Sequence, residues 1–172
     1  MSFADEVRTV LLDLVDVLET HGIQYLTMGG VAVPIWGIPR ATYDVDVTLS
    51  ADDEGFERFL RLVKENGFEV DEPFEKGFRD VLAGMQKIRM IRQESAFSRR
   101  VRARIDGREM WVLGPADLIL HKLVAARPKN LADVQSVLAI QGLSDGDYLR
   151  SWARRLGVEE RLRIALAEAR LS

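Results

Sequence analysis

Two aspartates one residue apart, Asp44 and Asp46, follow a glycine pair, Gly29-Gly30, after thirteen intervening residues. On an extended strand alternate side chains share a face, so the two carboxylates are predicted to point the same way. Like charges that close disfavour joint ionisation unless a cation neutralises them. Hard divalent ions such as Mg²⁺ take carboxylate oxygens of this kind and share them with substrate phosphates. The pattern predicts a metal–nucleotide pocket.

A second group of polar residues lies far along the chain. Lys122 interrupts an otherwise apolar helical run of Leu118, Ile119, Leu120, Leu123 and Val124. A point charge there requires a partner, and either a triphosphate or the Asp44/Asp46 pair would serve. Arg127, Lys129 and Asp133 flank Pro128, where two helices break and their side chains can converge on a cleft. Arg40, just before the acidic strand, is placed to steer phosphate or to pair with an aspartate. Other chemistries are poorly served. The chain has no cysteine and only two histidines, His21 and His121, far apart in sequence. Thiolate chemistry is thereby excluded, and a zinc site has little to build on.

The elements that must position these residues follow from periodicity and punctuation. Apolar residues recur at helical spacing from Ala4 to Thr20, and His21-Gly22 ends that helix. A strand is predicted over Ile23–Met28, a short helix over Val31–Trp36, and the acidic strand over Tyr43–Leu49. Ser50 is predicted to cap a helix from Ala51 to Asn66. Gly67–Val70 reads as extended, Met85–Ile91 as a strand, and Val101–Ile105 and Met110–Leu113 as strands joined at Asp106-Gly107. Helices are then predicted at Leu118–Ala126, Lys129–Gln141, Asp145–Leu156 and Glu159–Leu171. The result is an α+β chain, with an α/β core over 1–114 and a helical C-terminal subdomain over 115–172 packed on it.

With 172 residues, 47% hydrophobic content and a net charge of −3, the chain has the composition of a globular protein with no overall pull toward nucleic acid. No apolar run reaches the roughly 18 residues of a membrane-spanning helix. With no signal-like N-terminus, a cytoplasmic location is expected. One segment is strongly basic: Lys87–Arg108 holds eight Lys and Arg residues against Glu94 and Asp106. It reads first as the alternate outward faces of strands, and as a functional surface it mildly favours an anionic acceptor such as tRNA.

The glycine pair and the Asp-Val-Asp strand resemble the signature of the nucleotidyltransferase (DNA polymerase β-like) superfamily. Arg40-Ala41-Thr42 before the acidic pair, and Asp117 to Val134 with Lys122, Arg127, Lys129 and Asp133, resemble its minimal AbiEii-type members. The resemblance implies a nucleotidyltransferase fold, a small mixed β-sheet flanked by helices. It implies that Asp44 and Asp46 are catalytic and bind Mg²⁺, and that Gly29, Gly30, Arg40, Thr42 and Lys122 contact an NTP such as ATP. The implied reaction moves a nucleoside monophosphate to an acceptor hydroxyl on RNA, a protein or a small molecule. A toxin–antitoxin role, with an antitoxin protein as partner, is implied as well.

The superfamily supplies a third carboxylate from a strand beside the acidic pair. The strand aligned with it, Gln86–Ile91, carries Arg89 and no acid. Glu94, Asp106 and Glu109 are the candidates to replace it. The alternative expectation is a catalytically impaired fold that serves as a nucleotide-binding or partner-binding module.

Overall fold

A computed structural model describes residues 3–42, 44–70 and 96–169. The expected strand at 85–91, together with Arg89 and Glu94, lies outside the described residues. Helix α1 (Phe3–Thr20) leads through a turn to β1 (Tyr25–Met28), and α2 (Gly29–Trp36) follows without a break. Strand β2 (Asp46–Leu49) and helix α3 (Asp53–Glu65) come next. A hairpin of β3 (Val101–Ile105) and β4 (Arg108–Val112) then precedes α4 (Pro115–Ala125), α5 (Pro128–Gln141), α6 (Gly146–Arg155) and α7 (Glu159–Ala169).

The four described strands form one mixed sheet in the order β2-β1-β4-β3. β1 pairs antiparallel with β2, with Met28 opposite Asp46, and parallel with β4, with Thr27 opposite Val112. The fold is thus α+β, a small mixed sheet with helices, as the sequence predicted. The hairpin turns at Asp106-Gly107, where both residues have positive φ, +52° and +81°. Two-residue turns of that form match the twist of the flanking strands.

Several boundaries shift by one to three residues, and two of the differences concern the acidic strand and the helix after it. β2 begins at Asp46, so Asp44 precedes the strand instead of alternating within it. Helix α3 is capped by Asp52, whose carboxylate accepts from the Gly55 N–H, and not by Ser50. The Ser50 N–H instead donates to the Gln24 carbonyl, extending the β1–β2 pairing by one residue. Asp52 is the acceptor that remains free to reach into the first turn of α3.

A continuous hydrophobic core runs from α1 through the sheet to α7, with Leu18, Leu26, Met110, Val112, Leu118, Leu120 and Leu149 fully enclosed. Tyr25 is buried in it by its ring, and its Oη donates to Glu19 and accepts from the Trp111 N–H of β4. Burial, followed by the Glu19 hydrogen bond, raises its pKa well above the usual phenol value. Tyr25→Phe would leave the Trp111 N–H without its acceptor, at a cost of about 1–3 kcal/mol. Urea unfolding should show that loss as a lower midpoint at unchanged slope.

The link between sheet and helices is polar and local. Trp36 at the end of α2 donates from Nε1 to the Leu113 carbonyl at 2.7 Å, and Gln141 of α5 donates to the Trp36 carbonyl at 3.0 Å. The Ile38 N–H donates to Ser136 Oγ at 2.5 Å. These bonds hold the segment after α2 against α5 and bring Arg40 to the α5 face that carries Asp133.

Candidate functional site

The site is built where β1 turns directly into α2. Gly29 has φ +66°, a left-handed conformation that glycine adopts without Cβ strain. A Cβ built there would lie 1.7 Å from Asp46 Oδ2. One built at Gly30 would lie 2.2 Å from Thr42 Oγ1 and 3.6 Å from Asp44 Oδ1. Both carboxylates therefore converge on the glycine pair, although only Asp46 belongs to the strand. Thr42 holds its neighbour by donating from Oγ1 to Asp44 Oδ1 at 3.0 Å.

The electrostatics follow from that crowding. The Asp46 pKa is raised, first by desolvation and then by the charge of Asp44. The Gly30 N–H, which donates to Asp46, and the ammonium of Lys122 pull the other way without cancelling the effect. Asp46 keeps surface exposed to solvent even so, and its carboxyl is packed against the turn and still reachable.

Lys122 does not pair with Asp44 or Asp46. Its ammonium lies 2.8 Å from Asp133 Oδ2, and both side chains are buried. Arg40 completes the cluster by donating to Asp133 from Nε at 2.5 Å and from Nη2 at 2.7 Å, a bidentate pair. Burial tends to raise the Asp133 pKa, but the hydrogen bonds and charges of Arg40 and Lys122 outweigh it and hold it below the ordinary carboxylate range. Hydrogen bonding to Asp133 is also the main cause of the raised Arg40 pKa, and the Asp44 charge adds to it. The buried Asp133 thus joins the loop before β2 to α4 and α5, beside the acid pair. Its position near the Pro128 break was visible in the sequence, but its partners were not.

Asp106 and Glu109 do not replace a third carboxylate. β4 runs parallel to β1 with Val112 beside Thr27, so Glu109 lies three residues back toward the opposite end of the sheet, about 10 Å along the strand. There Glu109 pairs with Arg104 at 3.0 Å, and Asp106 pairs with Arg8 of α1. Among the described residues, no group of three or more His, Asp or Glu is arranged to hold a metal ion.

The basic stretch also changes meaning. Arg99 pairs with Asp117 and Asp145, Arg102 with Glu19, Arg104 with Glu109, and Arg108 with Asp16. Arg100 lies over the Trp111 ring at 4.4 Å and donates to the Phe97 carbonyl. These guanidiniums stitch the hairpin to α1, α4 and the turn before α6. In the described part of the segment, their charge does not form an open anion-binding strip.

A sequence-family model described as a nucleotidyltransferase of unknown function (DUF6036) matches residues 8–160. The fold is similar to the crystal structure of an antigenic nucleotidyltransferase-like protein from Paracoccidioides brasiliensis. That match has a TM-score of 0.60 and 20% identity, and covers 95% of this chain and 93% of the other. No curated protein matches the sequence. Among the described residues, no helix is long and apolar enough to cross a membrane.

Proposed function

Since the chain belongs to the nucleotidyltransferase family of unknown function DUF6036, we propose that it transfers a nucleoside monophosphate from an NTP to an acceptor hydroxyl. The observation that carries this reading is the convergence of Asp44 and Asp46 on the Gly29-Gly30 turn. Their donor set suits Mg²⁺: two hard carboxylate oxygens crowded by like charge, with an open side for phosphate oxygens. Bound there, Mg²⁺ would offset the charge that builds up on the phosphoryl oxygens during transfer.

The rest is the work of the protein's own groups. The α2 N-terminus presents backbone N–H groups toward the site, and the absence of a Cβ at Gly29 and Gly30 lets a triphosphate approach them. Thr42 orients Asp44. Lys122 and Arg40, held by Asp133, place positive charge beside the carboxylates and are the groups to contact phosphate. In this reading residues 1–114 supply the carboxylates, and the helices of 115–172 supply Lys122 and its support.

The motif around Lys122 and Asp133 supports the finer assignment to an AbiEii-type toxin that acts in the cytoplasm with an antitoxin partner. The acceptor is an RNA such as tRNA, a protein or a small molecule. The test is thermal unfolding with and without Mg²⁺–ATP, followed by pyrophosphate release. Wild-type protein is expected to be stabilised by Mg²⁺–ATP, by about 2.7 kcal/mol at a ligand concentration of about 100 times Kd. Asp44→Ala/Asp46→Ala is expected to lose that stabilisation, and stabilisation that persists in the double variant sinks the site.

A second reading, nucleotide binding without transfer, draws on Asp106 and Glu109 lying at the far end of the sheet. Stabilisation by Mg²⁺–ATP with no pyrophosphate release across RNA, protein and small-molecule acceptors would favour it.

A further inference from the structure

A cavity of about 350 Å³ opens between the α4–α5 turn and α7. Its walls are aliphatic: Leu123, Ala126, Pro128, Leu131 and Ile164. Leu131 and Ile164 remain 37% and 38% exposed, so apolar surface is held open to solvent here. Three cations complete the lining, Lys122, Arg127 and Arg161. Arg161 donates from Nη1 to the Leu123 carbonyl at 3.0 Å. Neither Arg161 nor Arg127 has a carboxylate partner among the described residues, and both are exposed. The hairpin is different, since there Arg99, Arg102, Arg104 and Arg108 are all matched by acids.

Lys122 connects this cavity to the site already described. Its side chain lines the cavity, its ammonium pairs with Asp133, and its charge is felt at Asp46. An occupant of the cavity would therefore share Lys122 with the cluster beside the acid pair. The ligand must combine a flat or compact apolar body with negative charge. The volume is at the lower end of the roughly 300–1,000 Å³ of small-molecule sites, enough for one nucleotide-sized group and not for a longer polymer.

We propose that this cavity binds a nucleoside phosphate, its base between Leu123, Leu131 and Ile164 and its phosphate on Arg127 and Arg161. The choice of ligand class rests on the nucleotidyltransferase reading; the cavity and its charge do not. Two sources share this chemistry, a free nucleotide distinct from the donor held at the acid pair and the terminal nucleotide of an RNA acceptor.

The test uses adenosine monophosphate in EDTA, so that no metal site contributes. Wild-type protein is expected to bind it with one-to-one stoichiometry. Ile164→Trp, which fills the cavity, and Arg127→Ala, which removes a surface charge, should each weaken binding by about tenfold or more. Thermal unfolding of both variants should confirm that they fold. Equal affinity in the wild type and both variants overturns the proposal, and so does inorganic phosphate binding as tightly as the nucleotide. Asp44→Asn/Asp46→Asn should retain metal-free binding. If Mg²⁺–ATP then fails to bind the wild type while adenosine monophosphate still does, the transfer reading falls and the cavity stands. Displacement of the probe by a short oligoribonucleotide supports the proposal with an acceptor as the source, and displacement by free nucleotides alone supports it with a second free nucleotide as the source.

Discussion

Asp133→Ala is expected to destabilise the protein by about 3–5 kcal/mol, more than any other single charge deletion among the described residues. The substitution removes the partner of two cations at once. Arg40 keeps a quarter of its side chain in solvent and can rehydrate, but Lys122 has only 8% of its side chain exposed. An ammonium left unpaired in that position bears its desolvation cost alone. Denaturant unfolding reads the loss directly. A second variant separates this account from simple loss of packing. Lys122→Met combined with Asp133→Leu removes both charges from the interior and should recover most of the stability, while abolishing nucleotide binding. If Asp133→Ala costs under about 1 kcal/mol, the cluster does not brace the fold.

The same residue fixes an acid limb. Because the folded-state pKa of Asp133 is lowered, its contribution is fully present above the unfolded-state value of about 3.9. It is lost as pH falls through the lower folded-state value. The stability gap between wild type and Asp133→Asn should therefore stay constant from neutral pH to about 5 and close below about 4. A gap that closes between pH 6 and 8 would point to another group.

Local patterns in the sequence carried the outline of the fold. Alternation and the Asp106-Gly107 turn marked the hairpin, apolar spacing marked α1 and the C-terminal helices, and Gly29-Gly30 marked the end of β1. What sequence spacing did not carry was pairing at a distance. Arg40 meets Asp133 across 93 positions, and Arg102 meets Glu19 across 83. A run of arginines on outward strand faces leaves an anion-binding surface open as a reading until tertiary contacts show its acids. Lys122 is the instructive case. Its type and its apolar surroundings required an anionic partner, for which the sequence suggested a triphosphate or the Asp44/Asp46 pair. Packing supplied a different one, Asp133. The acid pair shows the converse: the strand starts later than predicted, yet the glycine turn still gathers both carboxylates.

Gly29→Ala is expected to leave the protein folded but weaken Mg²⁺–nucleotide binding by about 10–100-fold. Two effects act at this position and a second glycine separates them. The first is backbone strain, since a left-handed φ costs a non-glycine residue about 1–2 kcal/mol. The second is steric, because the new Cβ would fall 1.7 Å from Asp46 Oδ2. That overlap is relieved only if Asp46 swings away, which removes one of the two oxygen donors and breaks its bond from the Gly30 N–H. Gly22 has nearly the same backbone angle, φ +64°, and a Cβ placed on it would meet nothing within 4 Å. Gly22→Ala should therefore show a similar loss in stability with nucleotide binding unchanged. If both alanine variants bind Mg²⁺–ATP like the wild type, the close approach of Asp46 to the turn has no functional consequence. If both lose binding equally, the effect is one of stability alone. Loss at Gly29 only would identify the missing Cβ as the space in which the carboxylate, the turn and the phosphates meet.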